Sequence, residues 1–127
     1  MLDVIGLVFA ALAALLHVYI WVMESITWRR PGTWRRFAVQ DQDAADLLQP
    51  MAFNQGFYNL FLAVMAGLGI VLVAVGADTV GRTLAFAGLA SMLGAALVLA
   101  AGGRKYHRPA VLQGTLPLIA LVLLLLA

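Results

Sequence analysis

The chain is expected to be an all-α integral membrane protein, a four-helix bundle, and three observations predict this. Hydrophobic residues make up 64% of the chain and charged residues only 11%, whereas a soluble domain has about 45–50% and about 25%. Four apolar segments, residues 4–26, 51–75, 79–102 and 108–127, approach or exceed the roughly 20 residues that cross about 30 Å of hydrocarbon. The basic residues gather at the ends of those segments rather than along them. The length of 127 residues suits one domain.

The first segment runs from Val4 to about Ile26. Asp3 precedes it and no Lys or Arg does, whereas a secretory signal starts basic. It is therefore expected to be a retained transmembrane helix. The connection 27–50 is the one long loop. Its Trp28, Arg29, Arg30, Trp34, Arg35 and Arg36 have the composition of an interfacial anchor in contact with lipid headgroups, the alternative being a specific site for an anionic lipid or a substrate headgroup. Asp41, Asp43 and Asp46 follow, and either Asp41 or Asp43 suits the N-cap of a short surface helix, after which Pro50 starts the second span. Gly76-Ala77-Asp78 and Gly102-Gly103-Arg104-Lys105 predict tight turns, which make consecutive helices antiparallel neighbours. The third segment carries Gly81, Gly88, Ser91, Gly94 and Ala95 at helical spacing. Small residues let helix backbones approach closely, so it is expected to be a packing element within or between subunits, with Ser91 bonded to its own helix.

Lys and Arg also predict orientation. Arg29, Arg30, Arg35 and Arg36 lie in the first connection, Arg104, Lys105 and Arg108 in the third, and Arg82 alone in the second. Seven of eight basic residues thus fall on one side. Loops 1 and 3 are expected in the cytoplasm and both termini on the outer side of a bacterial cytoplasmic membrane. The net charge of +2 consequently reads as topology, with no nucleic-acid partner. The absence of cysteine excludes disulfides and thiolate metal sites.

The candidate site follows from where the polar groups fall. His17, Trp21, Glu24 and Trp28 are spaced by four, three and four residues, which predicts a narrow stripe on one helix face. Asn54, Gln55, Tyr58 and Asn59 open the second span. Gln113 and Pro117 share a face of the fourth, where Pro117 leaves the Gln113 carbonyl without its helical N–H. In the expected topology all of these lie in the cytoplasmic half, while the outer half is nearly pure Leu, Val, Ala, Gly and Ile. Intramembrane ionisable residues are functional candidates by default. The expected site is a cytoplasm-facing pocket for a small or amphipathic ligand, lined by His17, Trp21, Glu24, Asn54, Gln55, Tyr58, Asn59 and Gln113. His17 or Glu24 would be the general acid or base of any reaction there. The plainer reading pairs Glu24 with Arg29 or Arg30, bonds His17 to Asn54 or Asn59, and uses the carboxamides to hold helices together. No metal is expected: His17 and Glu24 are two turns apart, His107 sits at the start of the fourth span, and zinc takes three or four N, S or O ligands.

The set His17, Tyr19, Ile20, Glu24 and Trp28, the run Asn54-Gln55-Gly56-Phe57-Tyr58-Asn59-Leu60-Phe61-Leu62-Ala63, and the pair Gln113 and Pro117 resemble a family of small bacterial four-helix membrane proteins catalogued as a domain of unknown function. That likeness covers nearly the whole chain and implies the architecture without a chemistry. A more distant likeness is to the membrane-associated proteins of eicosanoid and glutathione metabolism, which implies a homotrimer and a glutathione site in the cytoplasmic half. Asn54 matches the Asn of their Asn-x-x-Glu box; Phe57 stands in place of its Glu, and the family's Arg is missing, so glutathione binding departs from that motif. Small multidrug transporters share the helix number, but their embedded Glu lies mid-helix and Glu24 lies near an end. The functions that follow are a ligand-binding membrane protein or membrane enzyme, a structural or accessory subunit of a membrane complex, and a small proton-coupled exporter. A homo-oligomer is expected.

Overall fold

The computed structural model describes all residues, 1–127, and is entirely helical. Helix α1 spans Leu2–Trp21 and continues into a π-helical turn, Val22–Ile26. A short α2, Pro31–Trp34, and a 3₁₀ turn, Arg35–Phe37, lie in the long connection. Helix α3 spans Gln42–Ala74, α4 Asp78–Ala101 and α5 His107–Leu125. Four of these helices are long and apolar enough to cross a membrane, and the protein is read as a multi-pass membrane protein.

The long helices form a square in which each packs on its neighbours in the order α1, α3, α4, α5 and back to α1, while α1 and α4, on a diagonal, scarcely touch. One end of the square holds both termini and the α3–α4 turn. The other, here the loop end, holds the 27–41 connection and the α4–α5 turn. The α3–α4 turn shows why Gly76 is needed. It has φ +88°, its N–H bonds to the Val73 carbonyl at 3.0 Å, and the Ala77 N–H reaches back to Leu72 at 2.8 Å. This pair of bonds satisfies the last carbonyls of α3 and closes the helix.

Small residues set the packing distance. A Cβ at Gly81 would lie 2.6 Å from the Val73 backbone nitrogen and one at Gly88 3.0 Å from that of Ala66, so α3 and α4 meet backbone to backbone. Gly94 has open space around it. Ser91 is exposed and bonds to the Ala87 carbonyl of its own helix at 2.8 Å. The main core fills the middle and the terminal end, with Ala10, Ala13, Ala63, Ala66, Leu89, Met92, Ala120 and Leu124. There Arg82 lies 2.9 Å from Asp3 and ties the start of α4 to the start of α1. Nothing in the spacing of the sequence announced that pair.

Two expectations for the long connection are corrected. The acidic stretch does not form a separate surface helix ending at Pro50. Asp41 caps α3, accepting from the Ala44 N–H at 2.8 Å, and the helix runs unbroken through Pro50 to Ala74. At about 1.5 Å per residue it is about 50 Å long, well beyond the hydrocarbon thickness. The tryptophans do not face headgroups either. Trp28 and Trp34 are 6% and 3% exposed and build a second small core with Ala45 and Ala52. Trp28 Nε1 donates to the Ala45 carbonyl at 2.8 Å, and Trp34 Nε1 donates to Gln42 at 3.3 Å. The indoles are buried because the extended α3 supplies both a wall and acceptors for them.

Candidate functional site

The site begins with a widened turn. The Thr27 N–H bonds to the Val22 carbonyl five residues back, at 2.9 Å, so the end of α1 turns less per residue than an α-helix. Such turns re-aim side chains and recur at functional positions. Here the turn breaks the expected stripe. Glu24 faces inward at 7% exposure, and Trp28 leaves the helix for the second core.

Gly56 lets α3 approach that turn. A Cβ there would collide with Ser25 Oγ and lie 3.0 Å from Glu24 Cβ and 3.2 Å from the Ser25 nitrogen. Ser25 Oγ donates across the contact to the Phe53 carbonyl at 2.9 Å. One turn along α3, Asn59 uses both amide hydrogens, giving one to Glu24 Oε2 at 2.9 Å and one to the Gln55 carbonyl at 3.2 Å. The plain pairing of Glu24 with Arg29 or Arg30 is therefore replaced by a carboxamide, and Arg29 bonds to Gln49 instead. Gly56→Ala is expected to cost about 1–3 kcal/mol by overpacking and to pull Asn59 off Glu24. Thermal unfolding in detergent checks the first effect, and a changed Asn59 amide resonance checks the second.

A cavity of about 660 Å³ opens at the loop end and is lined by all four long helices. Its volume lies within the roughly 300–1,000 Å³ of small-molecule sites. Leu16 and Ile20 of α1, Val98 and Leu99 of α4 and Leu112 of α5 supply apolar walls. Glu24, Gln55, Asn59 and Gln113 supply the polar groups inside them, and Tyr19, Arg36 and Tyr106 also line it. Arg36 Nη1 donates to the Tyr19 hydroxyl at 2.8 Å.

Four of the eight expected residues thus line one cavity: Glu24, Gln55, Asn59 and Gln113. The other four lie outside its wall. At about 100° per residue, Gln55 sits about 40° from Asn59, Tyr58 about 100° and Asn54 about 140°. Tyr58 is accordingly 59% exposed, and Asn54 is exposed as well. His17 is fully buried next to the main core, and its Nδ1 donates to the Ala13 carbonyl at 2.9 Å. It does not bond to Asn54 or Asn59, and its Nε2 has no partner. Trp21 meets Phe57 edge to face at 5.9 Å, with its Nε1 buried and unpartnered. Sequence reasoning missed Tyr19, Arg36 and Tyr106. In the sequence Arg36 reads as an interfacial anchor and a topology signal, and the folding of its loop over α1 leaves no periodic signal. No three His, Asp or Glu side chains converge anywhere in the chain.

Comparison with known proteins yields one family. The family model described as "Protein of unknown function (DUF1304)" matches residues 11–125. No curated protein and no solved structure matches the chain.

Proposed function

The chain belongs to the DUF1304 family, and from that premise we propose that it is a bacterial inner-membrane protein that binds a small amphipathic molecule in the cavity at its loop end. The observation that carries this reading is the cavity itself. It has 660 Å³ of space between four helices, apolar walls, and a carboxylate and three carboxamides converging inside. Helices that only needed mutual support would fill that space, because voids forfeit the contacts that hold membrane helices together. With the Arg-rich connection placed in the cytoplasm by the positive-inside rule, the ligand enters from the inner leaflet. Glu24 is the only carboxylate in the wall and would be the general acid or base of a reaction on the ligand. His17, outside the wall, would support the helix end.

A test is to fill the space. Leu99 lines the cavity and is only partly buried. Native mass spectrometry of protein released from its own membrane is expected to show one small amphiphile per chain. Leu99→Trp is expected to lower its occupancy at least tenfold with the melting temperature retained. Unchanged occupancy in that variant, or no adduct in the unmodified protein, would overturn the proposal.

One observation favours a second reading. Glu24 and Asn59 satisfy each other directly, as they would in an accessory subunit whose polar groups set helix register. Glu24→Gln would then lower the melting temperature and leave bound amphiphile unaffected.

A further inference from the structure

The Arg-rich connection carries four guanidinium groups, and the structure accounts for two of them. Arg29 donates through Nε and Nη2 to Gln49 Oε1, both at 3.2 Å. Arg35 lies over the Trp34 ring, 5.2 Å from its centroid. Arg30 makes no hydrogen bond or ion pair through its side chain, and Arg36 has only the Tyr19 hydroxyl. The chain has a single ion pair, between Arg82 and Asp3 at the opposite end. Asp41, Asp43 and Asp46, although close in sequence, do not pair with Arg30 or Arg36.

Both of these groups face one place. A hollow of about 320 Å³ is lined by Arg30, Arg36, Tyr19, Thr27 and Thr33, with no carboxylate in its wall. On its wall the Thr27 and Thr33 hydroxyls are hydrogen-bonded to each other at 3.2 Å, and Thr27 also donates to the Val22 carbonyl at a long 3.4 Å; hydroxyl rotors can exchange these bonds for one to an anion. Two guanidiniums, two threonine hydroxyls and a phenol offer more donors than a carboxylate needs. They suit a tetrahedral phosphate, which accepts through three oxygens and which arginine recognises in bidentate fashion. The hollow also adjoins the large cavity: Tyr19, Met23 and Arg36 line both. A basic, hydroxyl-rich chamber therefore opens beside an apolar one, with Arg36 at the junction.

We propose that the two chambers together hold one amphiphile, a phosphate monoester whose head lies between Arg30 and Arg36 and whose apolar chain lies in the cavity among Leu16, Val98, Leu99 and Leu112. This rests on the reading of the cavity as a ligand site and adds the chemical class of the head. The Tyr19 hydroxyl holds Arg36 over the junction. Glu24, bonded to Asn59, lines the cavity and not the hollow.

The test measures binding of dodecyl phosphate, dodecanol and inorganic phosphate to the whole chain in maltoside detergent, by native mass spectrometry. Dodecyl phosphate is expected to bind one per chain, at least tenfold tighter than dodecanol. Arg36→Gln and Arg30→Gln are expected each to remove most of that advantage without changing dodecanol binding. Arg29→Gln, which alters an arginine outside the hollow, is expected to leave the advantage intact. Tyr19→Phe, which removes the acceptor of Arg36, is expected to reduce the advantage of the ester over dodecanol, and melting temperatures show that the variants fold. Displacement of dodecyl phosphate by dioleoyl phosphatidic acid would identify a bilayer lipid as the source of the phosphate head, and failure to displace it would identify a single-chain ester. Both leave the phosphate assignment standing. Equal losses in Arg29→Gln and Arg36→Gln would overturn the inference by showing general surface charge. So would inorganic phosphate binding as tightly as the ester, or equal affinity for the ester and dodecanol. If dodecanol binds, Leu99→Trp blocks it and Arg36→Gln costs the ester nothing, the head assignment alone fails. If dodecanol does not bind, the cavity reading fails with it.

Discussion

Valine at position 69 is expected to part α3 from α4. A Cβ on Gly69 would lie 2.5 Å from the Ala85 nitrogen, 2.7 Å from the Gly81 carbonyl oxygen and 2.9 Å from the Ala85 Cα. All three neighbours are backbone atoms, so no rotamer change relieves the clash and one helix must move as a body. Overpacking of an ordinary core costs about 1–3 kcal/mol and occasionally more; Gly69→Val is expected at or beyond the top of that range. Gly67, two residues away, has nothing within 4 Å of where a Cβ would stand, and Gly67→Val is expected to be close to neutral. Denaturation with sodium dodecyl sulfate, followed by helical circular dichroism, compares the two. Equal stability of the two variants would refute the backbone-to-backbone seam. Because α4 also carries Val98 and Leu99, Gly69→Val is further expected to loosen the cavity wall and weaken any amphiphile bound there.

Trp28→Ala is expected to unmake the cap over the loop end. The indole is buried against Ala45, Ala52 and Phe37, with ring centroids 5.4 Å apart in the last pair, and truncation leaves the Ala45 carbonyl without its Nε1–H donor. Removing a buried Trp costs about 3–5 kcal/mol. The second core is small and joined to the bundle mainly through α3, so the loss is expected to appear as local opening of the connection rather than collapse of the four helices. Trypsin is the suitable probe, since Arg35 and Arg36 sit in the segment that would be released. Cleavage there is expected to accelerate at least tenfold while the helical signal persists. An unchanged cleavage rate would mean that Trp28 contributes little to holding the loop. Release of Arg36 would also remove one wall of both chambers, which links the stability of this loop to the proposed ligand site.

The polar residues show how far the sequence could be read. The hydrogen-bonding side chains of the first, second and fourth spans sort into one half of each, and the largest share of them, Glu24, Gln55, Asn59 and Gln113, lines a cavity at that end. Helical periodicity then separates Gln55 and Asn59 from Asn54 and Tyr58 once the inward direction is known, but the sequence leaves that direction open. The structure settles it: α1 approaches α3 at Gly56, where a Cβ would meet Ser25 and Glu24, whereas Gly67 of the same helix has open space. The stripe from His17 to Trp28 assumed a uniform 100° per residue, which the π turn at Val22–Ile26 violates. Arginine and tryptophan beside a span have the same composition whether they touch lipid or fold inward. Only the extension of α3 below Pro50 decided between the two.

Composition and segment length alone make legible a helical membrane protein with four candidate spans, tight second and third connections, and one end rich in polar groups. Span length and hydrophobicity are fixed by the bilayer, and backbone polar groups in hydrocarbon must be satisfied within a helix, so these features need no partner to be legible. The tertiary structure alone decided which polar groups meet. The bond between Asn59 and Glu24, the junction at Arg36 and the space between the helices depend on rotations and approach distances set by glycines and a π turn. Those are relations between segments far apart in the chain, and no single stretch of sequence contains them.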